Sequence, residues 1–419
     1  MNSKKIEKCL DEYMESWPFS GVIYVSEKDN VIFQQAYGKA CYEFNISNTI
    51  DTSFSLASVS KQFTSFSIMQ LFEKKMIDIN VPVNNYLPAD LKIDHRITAH
   101  HLMSHTSGLH NFYTLKDDFL QEYDRTNYSK QDFYEKYINR PLDFEPGSKY
   151  EYSNAGYNVL AWIVEEVSGK KFSDYLRDHI FLPLEMRNTV LDEDLTIIKN
   201  KAYSYTMNRD DVVKSLYYNE KYSMGAGGLV SNCNDLHKWY KCLKNRKLLS
   251  KDTYKKFFSE NLNGYCYGLS RDTVNNRTRY FHGGDHLGKL SYVQYFFEDD
   301  VCIIVLSNND FNNQYKLGGL ISDVLFSRNP EIPQRAPEVT LDTESAHKYE
   351  GVYLENKIEL RNQCGTWELV RYNGNLHITV YPIGNHQFAC KWKDRFTPYT
   401  LTECEDGMFK FLGFKKKEE

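Results

Sequence analysis

Pro330, Pro333 and Pro337 punctuate residues 327–340, and the character of the chain changes across them. Proline fixes φ and lacks an N–H donor, so this run reads as a linker. Before it, helical and strand patterns are mixed. After it come short β-like runs at residues 349–353, 357–361, 366–372, 376–381, 388–392, 399–402 and 408–414. Such regular spacing predicts a small all-β module, a barrel or a sandwich. The sequence thus divides into a mixed α/β (α+β) part at residues 1–326, a linker at 327–340 and an all-β part at 341–419. A chain of 419 residues has material for two or three domains with ample cores.

Within the first part, residues 19–25 and 31–36 read as a hairpin turning at Lys28-Asp29-Asn30. Helix-rich sequence follows, with amphipathic segments at 132–137 and 156–167, the latter after a turn at Glu145-Pro146-Gly147. Residues 290–297 and 301–306 flank Glu298-Asp299-Asp300 as an antiparallel pair, and a last helix spans 315–326.

Hydrophobic residues at 41% and charged residues at 26% describe a globular protein. A net charge of −5 implies no attraction to nucleic acid. The longest purely apolar run, residues 301–306, is far too short to span a membrane. No apolar run follows Lys4 and Lys5, so a secretory signal is not expected. Nine cysteines without a Cys-x-x-Cys pair fit a reducing compartment, and the reading is cytoplasmic. Tyr, Phe and Trp number 32, 25 and 5, which suits β-rich structure and a wide groove but names no ligand.

The chemistry centres on Ser58-Val59-Ser60-Lys61. A helix is predicted over 60–75, with Phe63, Phe66, Met69, Phe72 and Met76 on its apolar face. Spacing of three brings Ser58 and Lys61 to one side of its first turn, where an amine can activate a hydroxyl. The positive end of the helix favours a developing oxyanion there. Ser168 with Lys171 and Ser345 with Lys348 repeat the pattern, but neither opens a long helix with a buried face.

Such a serine needs a second proton-transfer group and a polar orienting group. Tyr152-Ser153-Asn154 supplies both types: a phenol that a neighbouring ammonium could turn into a base, and an amide able to hold the lysine and a substrate carbonyl. Tyr137 with Asn139 and Tyr217 with Asn219 share the spacing, but only Tyr152 lies between a Pro-Gly turn and a strong helix.

With Ser58-x-x-Lys61, Leu102-Met103-Ser104-His105-Thr106-Ser107-Gly108-Leu109, Tyr152-Ser153-Asn154, Gly227-Gly228-Leu229-Val230-Ser231 and His282-Gly283-Gly284 in this order, the chain resembles the serine β-lactamase and penicillin-binding-protein superfamily. It is most similar to its class C and D,D-carboxypeptidase-like esterases and peptidases, over about residues 19–326. The resemblance implies an antiparallel sheet flanked by helices, an all-α subdomain, and here a C-terminal lipocalin-like barrel. It implies that Ser58 is acylated, that Lys61 and Tyr152 share its proton, and that Asn154 positions the substrate amide. The strand at His282, Gly283 and Gly284 would flank the site, with the N–H groups of Asp285 and Ser58 as oxyanion hole.

His282-Gly283 departs from the Lys-Thr-Gly of many relatives. An imidazole mostly neutral at pH 7 binds a terminal carboxylate less well than a lysine does. Relatives with histidine here are often esterases, aminopeptidases or acyl transferases, so efficient penicillin hydrolysis is not expected. The reading is a serine hydrolase acting on amides or esters of a peptide-like or D-amino-acid-containing substrate, without metal or cofactor. An acyl transferase or peptide cyclase, and a sensor that acylates and stalls, are the alternatives.

His100, His101, His105 and His110 cluster in sequence without the Glu of a His-Glu-x-x-His site, and match a structural turn of the family better than a metal centre. Gly225-Ala226-Gly227-Gly228 lacks the Lys-Ser/Thr of a phosphate loop and reads as a tight turn lining the groove. The tyrosine-rich span 201–222 is open between specificity and packing. The β-module is open between covering the groove, mediating homo-oligomer assembly and passive stabilisation.

Overall fold

The computed structural model describes residues 2–112, 129–193, 196–217, 219–353, 358–371, 376–392, 399–404, 409–411 and 414–415. Strands β1 (Gly21–Glu27), β2 (Asn30–Tyr37), β3 (Ser270–Val274), β4 (Arg277–His286), β5 (Lys289–Phe296) and β6 (Val301–Ser307) form one antiparallel sheet in the order β3-β4-β5-β6-β1-β2. The hairpin near the N-terminus and the 290–306 pair are both present. β1 lies between β2 and β6, with Gly21 opposite Ser307 and Glu27 opposite Val301. Both central strands are buried on two faces. Val22, Tyr24, Ile304 and Leu306 join one core, while Ile23, Val25, Ile303 and Val305 join the other. Cover on both faces explains an unbroken apolar run where a half-exposed strand would alternate.

Five helices organise the rest: α1 (Asn2–Ser16), α2 (Lys61–Glu73), α3 (Asn154–Ser168), α4 (Cys233–Lys244) and α5 (Gln314–Leu325). α1 and α5 cover one face of the sheet, and α4 packs with α2 on the other. α1 is absent from the sequence reading, yet Ile6, Cys9, Leu10 and Tyr13 recur at helical spacing and are all buried. No helix among the described residues is long and apolar enough to cross a membrane.

α2 corrects the expectation of a helix with one wet face. A 3-10 turn, Ala57–Ser60, precedes it, and every residue from Lys61 to Leu71 is buried. Its polar side chains are satisfied internally: Thr64 Oγ1 donates to Gly225 O at 2.7 Å, and Gln62 Oε1 accepts from Trp239 Nε1 at 3.0 Å. Met76, assigned to the apolar face, lies beyond the helix and is exposed.

Beyond the linker, Gly351–Tyr353, Ile358–Gln363, Thr366–Arg371, Leu376–Gly384, Gln387–Cys390, Tyr399–Glu403, Phe409–Phe411 and Phe414–Lys415 pair in sequence order. They curl into a nearly closed barrel with its own core around Leu360, Trp367, Leu369, Val380 and Phe388. Tyr349, placed in the first strand by the sequence reading, instead ends a short helix, Thr343–Tyr349. The run edges at Lys357, Tyr372 and Met408 lie outside the described residues.

A hairpin of Tyr205–Asn208 and Asp211–Lys214 fastens the barrel to the first part of the chain. Arg209 N donates to His377 O at 2.6 Å, and His377 N donates to Asn208 Oδ1 at 2.8 Å. The Arg209 guanidinium meets the buried Glu368 carboxylate at 2.6 Å, which Arg361 and His377 also contact at 3.0 Å. Lys391 and Trp392 hold Asp210. The tyrosine-rich span thus builds a docking element.

Candidate active site

Ser58 stands in the 3-10 turn just ahead of α2, and Lys61 is the first residue of the helix. Ala57, beside it, has φ 44°, a left-handed conformation that costs a non-glycine residue about 1–3 kcal/mol. Hydrogen bonds brace the turn: Leu56 N to Leu229 O at 2.8 Å, Leu229 N to Ser60 Oγ at 3.1 Å, and Ser291 Oγ to Leu56 O. β4 runs close alongside. A Cβ on Gly284 would fall 2.3 Å from Leu56 O, and one on Gly283 would fall 2.0 Å from the Tyr315 hydroxyl. Only glycine fits at either position.

Lys61 is fully buried, and its Nζ has three oxygen neighbours: Asn154 Oδ1 at 2.7 Å, Ala226 O at 2.7 Å and Ser58 Oγ at 3.1 Å. Burial drives its ammonium well below the ordinary lysine range. A neutral amine has two N–H groups and one lone pair. In the neutral form the two carbonyl oxygens, which can only accept, would take both N–H groups and leave the lone pair facing Ser58 Oγ. Asn154 is oriented by donating Nδ2–H to Asn111 Oδ1 at 3.2 Å.

The Tyr152 ring centroid lies 4.8 Å from Lys61 Nζ. Burial raises its phenol well above the ordinary tyrosine range, and a hydrogen bond with Ser58 only partly opposes this. This direction works against the phenolate base expected from the sequence. Burial works against the charged form of Lys61 as well. His105 packs on Tyr152 with ring centroids 4.2 Å apart, and its Nδ1 accepts the Ser153 N–H at 3.2 Å.

His282 is buried, with both ring nitrogens engaged. Nδ1 donates to Gly283 O at 2.7 Å, so Nε2 accepts from the Tyr265 hydroxyl at 3.0 Å. Burial, the largest cause, pushes its pKa down to about 3. Burial thus favours the neutral imidazole, and both nitrogens are engaged inside the protein. Ser58, Tyr152, Asn154, His282, Gly283 and Asp285 border one groove of about 1460 Å³, and Gly284 lies buried behind it.

The remaining sequence candidates fall elsewhere. Ser168 ends α3, capped by Gly169 at φ 67°, and Lys348 pairs with Glu344. His100 meets the Tyr267 hydroxyl, His101 Nδ1 accepts the Thr98 N–H, and His110 pairs with Asp143. Among the described residues no cluster of His, Cys, Asp or Glu could hold a metal ion. Of the Gly225–Gly228 turn, Ala226 and Gly227 line a small cavity beside Ser58. The turn's main contribution, the Ala226 carbonyl, escapes sequence reading because a backbone oxygen has no residue signature. Asn111 and His105 were likewise not singled out as parts of the site.

A Beta-lactamase family model matches residues 6–323. The teichoic acid D-alanine hydrolase of Staphylococcus aureus is 28% identical over 336 residues, covering 77% of this chain and 79% of the relative. Penicillin-binding protein 4* of Bacillus subtilis is 26% identical over 434 residues, covering 96% and 94%. In fold, the octameric penicillin-binding protein homologue from Pyrococcus abyssi superposes with a TM-score of 0.70 at 22% identity, over 98% of this chain and 95% of that one. Sequence and fold agree from the first helix to the barrel: this chain belongs to the beta-lactamase family and is a hydrolase of the β-lactamase and penicillin-binding-protein kind.

Proposed function

We propose that the protein is a serine hydrolase working through a Ser58 acyl-enzyme on amide or ester bonds of a D-amino-acid-containing or peptide-like substrate. The observation that carries this is the environment of Lys61: two fixed acceptors occupy its N–H groups, and Ser58 Oγ lies 3.1 Å from its nitrogen. In this reading Lys61 takes the hydroxyl proton as Ser58 Oγ attacks the substrate carbonyl carbon. The backbone N–H groups of Ser58 and Asp285 stabilise the oxyanion. Tyr152, a phenol that keeps its proton, passes one to the departing amine or alcohol as the C–N or C–O bond breaks. Lys61 then returns the proton it accepted to the Tyr152 phenolate. Water next attacks the Ser58 ester, releasing the acid and restoring the hydroxyl.

The D-amino-acid part of the reading draws on the D-alanine hydrolase named above. A cytoplasmic site of action belongs to it too, supported by nine cysteines that form no disulfide, as does homo-oligomer formation, suggested by the octameric homologue. The test uses a p-nitrophenyl ester, D-alanine amide and labelled penicillin, following turnover and protein mass. Multiple turnovers lost in Ser58→Ala and kept in Ser168→Ala support the hydrolase. A permanent mass increase supports the sensor, and product carrying an added amine supports the transferase. Full activity in Ser58→Ala overturns all three.

A further inference from the structure

The groove that begins at Ser58 does not end within the first part of the chain. Its far wall includes Leu287, Asp310 and Arg371, and Arg371 is the last residue of the barrel strand Thr366–Arg371. The same three residues border a second cleft, lined by apolar Leu216, Phe311 and Ile378, between the barrel and the docking hairpin. A substrate lying along the groove therefore meets the barrel directly.

The charges along this path are uneven. His282 and His286 are both held neutral by burial. Lys61 is enclosed by its oxygen partners, and Lys289, which borders a small cavity beside Ser58, pairs with Glu220. Asp285 and Asp310 are the groove's carboxylates, and Asp310 Oδ1 accepts a hydrogen bond from Thr206 at 2.8 Å. Among the described lining residues, Arg371 alone carries a permanent positive charge. A guanidinium presents five N–H donors in a planar fork. Its geometry matches carboxylate and phosphate oxygens two at a time.

We propose that Arg371 is a specificity residue contributed by the barrel, binding an anionic group, carboxylate or phosphate, on the part of the substrate that extends past the scissile bond. This rests on the Ser58 acyl-enzyme reading for the position of that bond. The half-buried Arg371 is fixed by the barrel strand, and the barrel is fixed by the hairpin contacts of Arg209 and Asp210. Barrel docking and substrate choice are thereby linked.

The test compares four D-alanyl substrates: D-alanyl-glycine, its uncharged amide, the D-alanyl ester of glycerol, and that of glycerol phosphate. Each is assayed with wild type, Arg371→Gln and Arg371→Lys. A charge-assisted, two-pronged bond predicts that Arg371→Gln loses roughly ten- to hundredfold in kcat/KM on an anionic member, mainly through KM, with partial recovery in Arg371→Lys. The neutral members and a p-nitrophenyl ester should stay within about twofold of wild type, which shows the fold and Ser58 intact. Loss confined to D-alanyl-glycine identifies a carboxylate, and loss confined to the glycerol phosphate ester identifies a phosphate. Equal loss on charged and neutral substrates, or none on either anion, overturns the proposal. Absence of all activity in wild type, p-nitrophenyl ester included, instead removes the acyl-enzyme reading beneath it.

Discussion

Ala226 O accepts a hydrogen bond from Lys61 Nζ at 2.7 Å, and this contact, with its counterpart at Asn154, decides where the amine's lone pair is left. An amine held in this way can take a proton without first being deprotonated by anything else.

Replacing Lys61 by Met should therefore lower kcat by roughly 10²–10⁴, the usual worth of a positioned base, with a smaller effect on KM. Lys61→Arg should not rescue, because a guanidinium does not deprotonate. Since burial lowers the folded pKa of Lys61, activity should rise with pH through that lowered value and then level off. A pH–rate profile that switches on only near pH 10 would contradict the assignment.

Gly284→Ala should damage the site from behind. Its Cβ would stand 2.3 Å from Leu56 O and 2.4 Å from Ser291 Oγ, pushing on the turn that carries Ser58. The expected outcome is a stability loss of about 1–3 kcal/mol with a larger proportional loss of kcat. Adding Ser291→Ala should not restore activity, because the Leu56 oxygen is backbone. Thermal melts and ester turnover on both variants check this.

His282 makes a prediction about acid. Its folded pKa of about 3 lies below the unfolded value of about 6.5. Between those limits the unfolded chain binds a proton that the folded chain does not. Stability should therefore fall as pH drops from about 6.5 towards 3, by at most about 1.4 kcal/mol per pH unit for this group. His282→Gln keeps an acceptor for Tyr265 and a donor for Gly283, so it should narrow the gap between urea midpoints at pH 4.5 and 7.5. An unchanged gap would show that the imidazole is not held neutral.

At the barrel seam, burial alone would raise the Glu368 pKa, but hydrogen bonds from Arg209, His377 and Arg361 overcome it and hold the carboxyl at about 2. Glu368→Gln removes the negative charge these cations share and, because its partner across the seam, Arg209, is largely exposed, should weaken barrel docking by about 1 kcal/mol. Limited proteolysis should then cut residues 327–340 faster, while p-nitrophenyl ester turnover persists. Unchanged cleavage would mean that other contacts hold the barrel.

Much of this was legible in the sequence because it rests on spacing. The Ser58–Lys61 interval, the hairpins around Lys28 and Asp299, and the regular runs after Pro337 each follow a local rule, and each produced the element expected. What escaped depends on surroundings. α2 carries a helical stripe, but its polar flank is buried against Gly225 and Trp239, which no window of sequence reveals. The protonation of Tyr152 follows from enclosure rather than from its neighbours in sequence. Arg371 borders the groove only because a hairpin far from it in sequence clasps the barrel. α1 is a different case: its buried positions obey helical spacing, so this helix was legible in the sequence.

The pairing of β1 with β6 constrains how this protein can be made. A ribosome delivers Gly21 and Ser58 early, but the strand that completes the sheet only after Val301 has emerged. Until then β1 exposes an unpaired valine- and isoleucine-rich edge, the sort of surface that recruits other nascent chains. Truncation before Ser307 should therefore yield aggregate rather than a smaller enzyme, and chaperone demand should peak late in translation.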